Sequence, residues 1–180
     1  MTIKQQIIIS GVGGQGVLFV TRLLAEAAMM KGFPVLTSET HGMAQRGGTV
    51  VSHLKVGDFS SPLIRPFSAD GLLALKPESL AQHGSFVKPG GWAIVNSGQP
   101  LQAPGELAIT SIDADSLSRT IGNLKSVNLI MLGAALSKLS GAQNLFCVLA
   151  DIQTVLNTQI SGAPSKLEKL TAAINAGYRV

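Results

Sequence analysis

Apolar positions in the first half of the chain switch repeatedly between a period of two and a period of three to four. Residues 6–10, within QQIIIS, read as a short strand, and residues 15–31 as a helix in which Leu18, Phe19, Leu23, Leu24, Ala27 and Ala28 recur at helical spacing. Gly32 stands where a helix-terminating glycine belongs. FPVLTSE, residues 33–39, gives a second strand, so the first elements make a β-α-β unit whose crossover favours parallel pairing. TVVSHLKV, residues 49–56, alternates like a half-buried strand. Val50, Ser52, Leu54 and Val56 share one face and Thr49, Val51, His53 and Lys55 the other, before a turn at Gly57 and Asp58. This segment reads as an antiparallel excursion. Strands follow at 72–75, 92–96 and 107–112, with a short helix entered through Pro77 after the first of them.

Beyond Asp113 the period is helical. DADSLSRTIG is a short capped helix, SVNLIMLGAALSKLSG an apolar helix that Ser126 is placed to cap, LADIQTVLNTQI a third, and PSKLEKLTAAINAGY the last, closing at Gly177. ISGAPS, the one Gly/Pro/Ser-rich break, is too short to separate domains. The expected fold is one α/β domain over residues 1–180. It is Rossmann-like, a mostly parallel sheet flanked by helices, with an antiparallel strand excursion and a helical C-terminal third.

Composition changes this picture in one respect. Charged residues are 13% of the 180, against roughly 25% in an average soluble protein, while hydrophobic residues reach 46%. A compact α/β core accounts for part of that. A large subunit interface accounts for it too, so the lone chain is expected to self-associate, exposing apolar surface on TVVSHLKV and parts of the C-terminal helices. The longest apolar run, residues 129–136, is too short to span a bilayer, and the N-terminus reads as a strand, not a signal peptide; a cytoplasmic location is the default. The formal charge of +4 favours anions, but the basic residues are scattered and aromatics are few, which excludes a nucleic-acid surface. The single cysteine, Cys147, cannot alone hold an iron–sulfur cluster or structural zinc and reads as a core residue.

The candidate chemistry lies in GVGGQG. Gly11, Gly13 and Gly16 have the G-x-G-x-x-G spacing after a strand and before a helix, where backbone N–H groups close on a phosphate. Ligands of such sheets bind beyond the strands' carboxyl ends, which puts the loops after Ser10, Glu39 and Leu75 together. HGMAQRGG then lies beside the glycine loop, and Arg46 augments an anion site there. A nicotinamide dinucleotide would further require an acidic residue ending the second strand, and Glu39, 23 residues past Gly16, keeps that alternative open as a stand-alone NAD-binding regulatory module. His41 has the pKa range of a general base, but spacing supplies no nucleophile, orienting acid or metal-ligand partner. His53 and His83 have weaker claims. No catalytic or metal-binding constellation is legible.

GVGGQGV, ETHGMAQRGG, KPGGWAIVNS, NLIMLGAALSKLSG and KLEKLTAAINAGY, in this order over nearly the whole chain, resemble the gamma subunit of 2-oxoacid:ferredoxin oxidoreductases, the pyruvate/ketoisovalerate oxidoreductase catalytic domain. The version with ETHGMAQRGG is most similar to the small (beta) subunit of the indolepyruvate enzymes. The resemblance implies conversion of a 2-oxoacid and coenzyme A to acyl-CoA, carbon dioxide and reduced ferredoxin, by a complex whose isolated gamma-type chain is inactive. It implies that thiamine diphosphate, Mg and the iron–sulfur clusters belong to partner subunits, that ferredoxin is reached through the complex, and that coenzyme A is a substrate at this chain's interface. Gly11, Gly13, Gly14, Gln15 and Gly16, with His41, Gln45, Arg46, Gly47 and Gly48, then become the candidate cradle. Lys76 departs from the family, which often has an acidic residue after the LLAL strand.

Overall fold

A computed structural model describes residues 3–41, 48–102, 106–140 and 145–180. In chain order the elements are β1 (Gln5–Val12), α1 (Val17–Met30), β2 (Val35–His41), β3 (Thr49–Val56), β4 (Ala69–Ala74), α2 (Glu78–His83), β5 (Val87–Asn96), β6 (Ala108–Ile112), α3 (Ala114–Thr120), α4 (Val127–Lys138), α5 (Leu149–Gln159) and α6 (Pro164–Tyr178). The strands form one mixed sheet ordered β2-β3-β1-β4-β5-β6. β1, β4, β5 and β6 pair in parallel, while β3 is antiparallel to both β1 and β2.

β1 and β2 therefore run in the same direction, as a β-α-β crossover requires, but they do not pair. β3 lies between them, in register with both: Ile9 faces Ser52, and Ser52 faces Glu39. Side-chain chemistry explains the order. β3 carries apolar residues on both faces and is buried on both, Val50, Leu54 and Val56 in the larger core and Val51 in the smaller. The polar Thr37-Ser38-Glu39-Thr40 run belongs at an edge, where water satisfies it. The half-buried reading of β3, and the apolar interface expected on it, are both corrected by this central position.

Helices α1 and α3–α6 cover one face of the sheet, packing Leu23, Leu24, Leu129, Ile130, Ile152 and Ile174 against Ile7, Ile9, Leu73 and Ile94. The other face has a thinner cover, α2 and a strap at residues 57–68, over Ile8, Leu72, Ala93 and Val95. α4 is the central helix of the thick layer, buried continuously from Asn128 to Leu136. It crosses α6 through two glycines: a Cβ on Gly133 would overlap the Ile174 carbonyl, and one on Gly177 the Ile130 carbonyl. Gly177 is thus an internal contact residue, since α6 continues to Tyr178, not the terminator its position implied. Ser126 also departs from expectation. A 3-10 turn at Leu124–Ser126 precedes α4, and the Ser126 hydroxyl donates back to the Asn123 carbonyl at 2.6 Å instead of capping the helix. Asp113 caps α3 as expected, accepting from the Ser116 N–H at 2.9 Å.

Cys147 is a core residue at 3% exposure, and burial, with Asp151 adding and Lys31 opposing, pushes its thiol pKa up to about 12. His53, on the thinner side, accepts a hydrogen bond at its Nδ1 from the Ile64 N–H at 3.1 Å, so its proton is on Nε2. Burial holds its pKa below the usual histidine value of 6.5, and His83 and then Lys55 push it the same way. A depressed histidine pKa favours the neutral form in the folded state. Its stabilisation is present above the unfolded value of 6.5 and is lost as pH falls through the folded pKa. Hydrogen-exchange protection of the Ile64 amide, corrected for intrinsic rate, is expected to fall as pH is lowered below 6.5 while that of Leu73 in β4 holds.

Candidate functional site

The carboxyl ends of β1 and β2 both meet the start of β3, Val12 opposite Thr49 and His41 opposite Val50. The glycine loop and the end of HGMAQRGG are thereby brought together, and the Gly13 N–H donates to the Gly48 carbonyl at 3.1 Å. The third expected neighbour arrives through β4: the Leu75 N–H donates to the Ser10 carbonyl at 2.7 Å.

Within the loop the residues divide by task. Gln15 turns inward, its Oε1 accepting from the Val12 N–H at 2.8 Å and its Nε2 donating to the Leu75 carbonyl at 3.4 Å, which fixes the loop to two strands. A Cβ on Gly11 would stand 2.7 Å from Gln15 Oε1 and 3.2 Å from Leu75 Cβ, so this glycine permits that closure. Gly16 is left-handed at φ 79°, and a Cβ there would overlap the Asn128 side-chain amide, which donates to the Gly16 carbonyl at 3.4 Å. Gly13 and Gly14 remain on the outer side. Both are exposed, and around Gly14, at φ 90°, a Cβ would meet nothing within 4 Å.

The helix that follows starts with exposed polarity. α1 has no side-chain cap and no acidic residue in its first turn, and its first internal bond, Val20 N–H to the Gly16 carbonyl, lies beyond the N–H groups of Val17, Leu18 and Phe19. The same three residues line a cavity of about 410 Å³ together with Gly13, Gly14 and Val50. The arrangement offers backbone donors and a positive helix end beside an apolar floor, which suits an anionic group carried on an apolar arm.

Of the other expected site residues, Gly48 is half-buried and tied to Gly13, and His41 ends β2. Gln45, Arg46 and Gly47 lie outside the described residues, as does the His41 side chain. Lys76 forms an ion pair with Glu78 at 3.6 Å, a surface contact of small energetic weight. His53 and His83 sit on the thinner face beside Phe86. Among the described residues no three His, Cys, Asp or Glu are grouped as metal ligands.

Two asparagines escaped the sequence reading. Asn128 supports Gly16 from below. Asn96, ending β5, accepts from the Ala114 N–H at 3.0 Å and donates to the Leu75 carbonyl at 3.2 Å and to Asp115 at 2.9 Å, joining β4, β5 and α3 at the site's edge. The signal was a lone amide heading an otherwise apolar helix or ending an apolar strand, a position that needs a buried partner.

Comparisons with known proteins bear on the family and the fold. The chain is 37% identical over 124 residues to the indolepyruvate oxidoreductase subunit IorB of Archaeoglobus fulgidus, an alignment covering 69% of this chain and 61% of that one. It thus spans about three-fifths of that relative's length. The gamma subunit of keto/oxoacid ferredoxin oxidoreductase from Geobacter sulfurreducens superposes with a TM-score of 0.75 at 23% identity, over 97% of this chain and 96% of that one. The 2-oxoglutarate:ferredoxin oxidoreductase of Magnetococcus marinus, solved with 2-oxoglutarate, coenzyme A and succinyl-CoA bound, superposes with a TM-score of 0.81 at 19% identity, over 99% of this chain and 31% of the other. At these identities the two structures establish the fold. Residues 6–180 match the model of one family along their length, and the chain belongs to it: the pyruvate ferredoxin/flavodoxin oxidoreductase family.

Proposed function

We propose that this chain is the indolepyruvate-type subunit of a thiamine-diphosphate-dependent 2-oxoacid:ferredoxin oxidoreductase, and that its glycine loop receives a phosphate of coenzyme A where the chain meets its partners. The observation that carries the reading is the open Gly13-Gly14 edge over the uncapped start of α1, donors on one side and apolar floor on the other. Arg46 adds a charge-assisted contact from HGMAQRGG. The chain's role in the reaction is to bind and orient: N–H groups of the loop hold the phosphate, and Leu18, Phe19 and Val50 keep water from the adjoining arm.

Thiamine diphosphate supplies carbanion stabilisation, and iron–sulfur clusters supply one-electron transfer, when bound in the complex. Among the described residues no donor set is suited to either group. The chain's one thiol is buried, with a pKa pushed to about 12, and no described cluster of acidic or imidazole groups stands ready for a metal. On this reading partner subunits carry both, and the location is that of the complex, which we place in the cytoplasm. The purified chain is expected to show no 2-oxoacid-dependent reduction of ferredoxin with coenzyme A present, and to gain activity only when its partner subunits are added. Turnover by the chain alone overturns the assignment of cofactors to partners.

The NAD-binding reading is disfavoured by the strand order. An acidic residue that reaches a dinucleotide ribose ends the strand next to β1. Here β3 occupies that place, and Glu39 is displaced by a further strand spacing of about 4.8 Å. Isothermal titration of the chain with NAD is expected to give no heat of specific binding; tight binding lost in Glu39→Ala favours this second reading.

A further inference from the structure

The strap at residues 57–68 brings two lysines to one aromatic ring, with an arginine whose charge is felt by one of them. Lys55 leaves β3 on the thinner face with only 7% of its surface exposed, and its Nζ lies 5.0 Å from the centroid of the Phe59 ring. Lys4, at the entry to β1, lies 5.3 Å from the same centroid. Arg65, further along the strap, is near enough that its charge adds to burial in holding Lys55 below the usual lysine pKa. Among the described residues none of the three cations forms an ion pair with a carboxylate, and the exposed Asp58, next to Phe59, makes none either. One ring shared by two ammonium groups that repel each other leaves positive charge uncompensated.

Large apolar side chains share the strap. Leu63 is 54% exposed and Phe67 66%, and Phe67 holds φ 56°, a left-handed backbone that is costly for a bulky residue. This exposure is fixed by the fold. The Ile64 N–H is bound to His53, the Phe67 N–H donates to the Ser85 carbonyl at 2.9 Å, and the Ser68 N–H to the Phe86 carbonyl at 2.9 Å.

We propose that the strap, with Lys4 and Lys55, is a docking surface for an acidic segment of a partner protein. Carboxylates of that segment meet Lys4, Lys55 and Arg65, and its apolar side chains cover Leu63 and Phe67. A free anion fits less well, because Lys4 and Arg65 are open to solvent and a small ion would leave both apolar side chains exposed. Lys4 precedes β1 and Lys55 is the penultimate residue of β3, so the surface lies at the opposite end of these strands from the glycine loop. The proposal is independent of the coenzyme A reading, and either stands if the other falls.

The test uses the isotopically labelled full chain, with amide shifts followed by NMR at low ionic strength. Three probes are titrated separately: hexaglutamate, a peptide of the same charge with Leu and Phe interspersed, and inorganic phosphate. Both peptides are expected to shift Lys55, Phe59 and Arg65, the Leu/Phe peptide binding roughly tenfold more tightly because it also buries apolar surface. Lys55→Met keeps the buried stem and removes the charge, and is expected to weaken peptide binding roughly tenfold. Arg65→Glu and Lys4→Glu, at exposed positions that leave folding intact, are expected to weaken it similarly. Shifts spread evenly over all lysines or confined to residues 13–19 overturn the proposal. So do unchanged affinity in the variants, equal affinity of the two peptides, or phosphate shifting the same amides at the same concentration, which marks a small-ion site. Phosphate shifts confined to residues 13–19 instead bear on the glycine-loop reading alone.

Discussion

In the assembled enzyme, Gly14→Val together with Arg46→Ala is expected to reduce kcat/KM for coenzyme A by two orders of magnitude or more, while decarboxylation of the 2-oxoacid in the absence of coenzyme A continues at its normal rate. A charge-assisted contact to phosphate is worth about 1.5–3 kcal/mol, so on the proposed role of Arg46 the change Arg46→Ala alone is expected to cost roughly ten- to 150-fold. Gly14 adds a second effect. Its φ of 90° disfavours any side chain, and the valine branches would stand on the open edge where the proposed phosphate site lies. Stopped-flow measurement of the two half-reactions separates the outcomes. A folded Gly14→Val variant with unchanged coenzyme A dependence moves the loop to a packing role. Gly13→Ala gives a control for stability: its φ is not left-handed and its nearest atom, the Gly48 carbonyl oxygen, is 4.0 Å away, so the change is expected to stay within about 0.5 kcal/mol.

The second large effect concerns the helices that support the sheet. Gly177→Ala is expected to destabilise the fold by roughly 3 kcal/mol or more, lowering Tm by roughly 6–12 °C, as read by thermal unfolding. The added methyl would overlap the Ile130 carbonyl, which is backbone and cannot rotate away, so α4 and α6 must separate along their whole contact. Gly133→Ala presses the same crossing from the other side, against the Ile174 carbonyl. Because both changes are relieved by one separation, the double variant is expected to cost less than the sum of the single ones. A Tm within a degree of the parent for both single variants contradicts the close crossing.

Much of the candidate site was legible because its signals are local. A glycine spacing between a strand and a helix specifies a turn of unusual φ, and the structure places positive φ at Gly14 and Gly16. The meeting of this loop with Gly48 followed from strand direction alone, since both loops leave the carboxyl ends of strands that run the same way. The division of labour inside the loop was not legible. Gln15 and Gly16 look alike in sequence as members of a motif, but Gln15 is bound to Val12 and Leu75, 60 residues distant, and Gly16 is matched to Asn128, 112 residues distant. No short-range pattern records such pairs.

By itself the sequence determined the elements and their types: six strands, the helix after the glycine loop, the helical C-terminal third, and the buried character of Cys147. These depend on periodicity, capping residues and apolar content, which act over a few residues. Tertiary structure decided where the elements went. It placed β3 between β1 and β2, because a strand apolar on both faces is stable only in the interior of the sheet while the polar β2 tolerates an edge. It made Gly177 a contact and not a terminator, because the Ile130 carbonyl of α4 lies against it. It also brought Lys4 and Lys55 to the Phe59 ring from segments that are scattered in the chain, since hydrogen bonds from the strap to His53, Ser85 and Phe86 fix its path across the sheet.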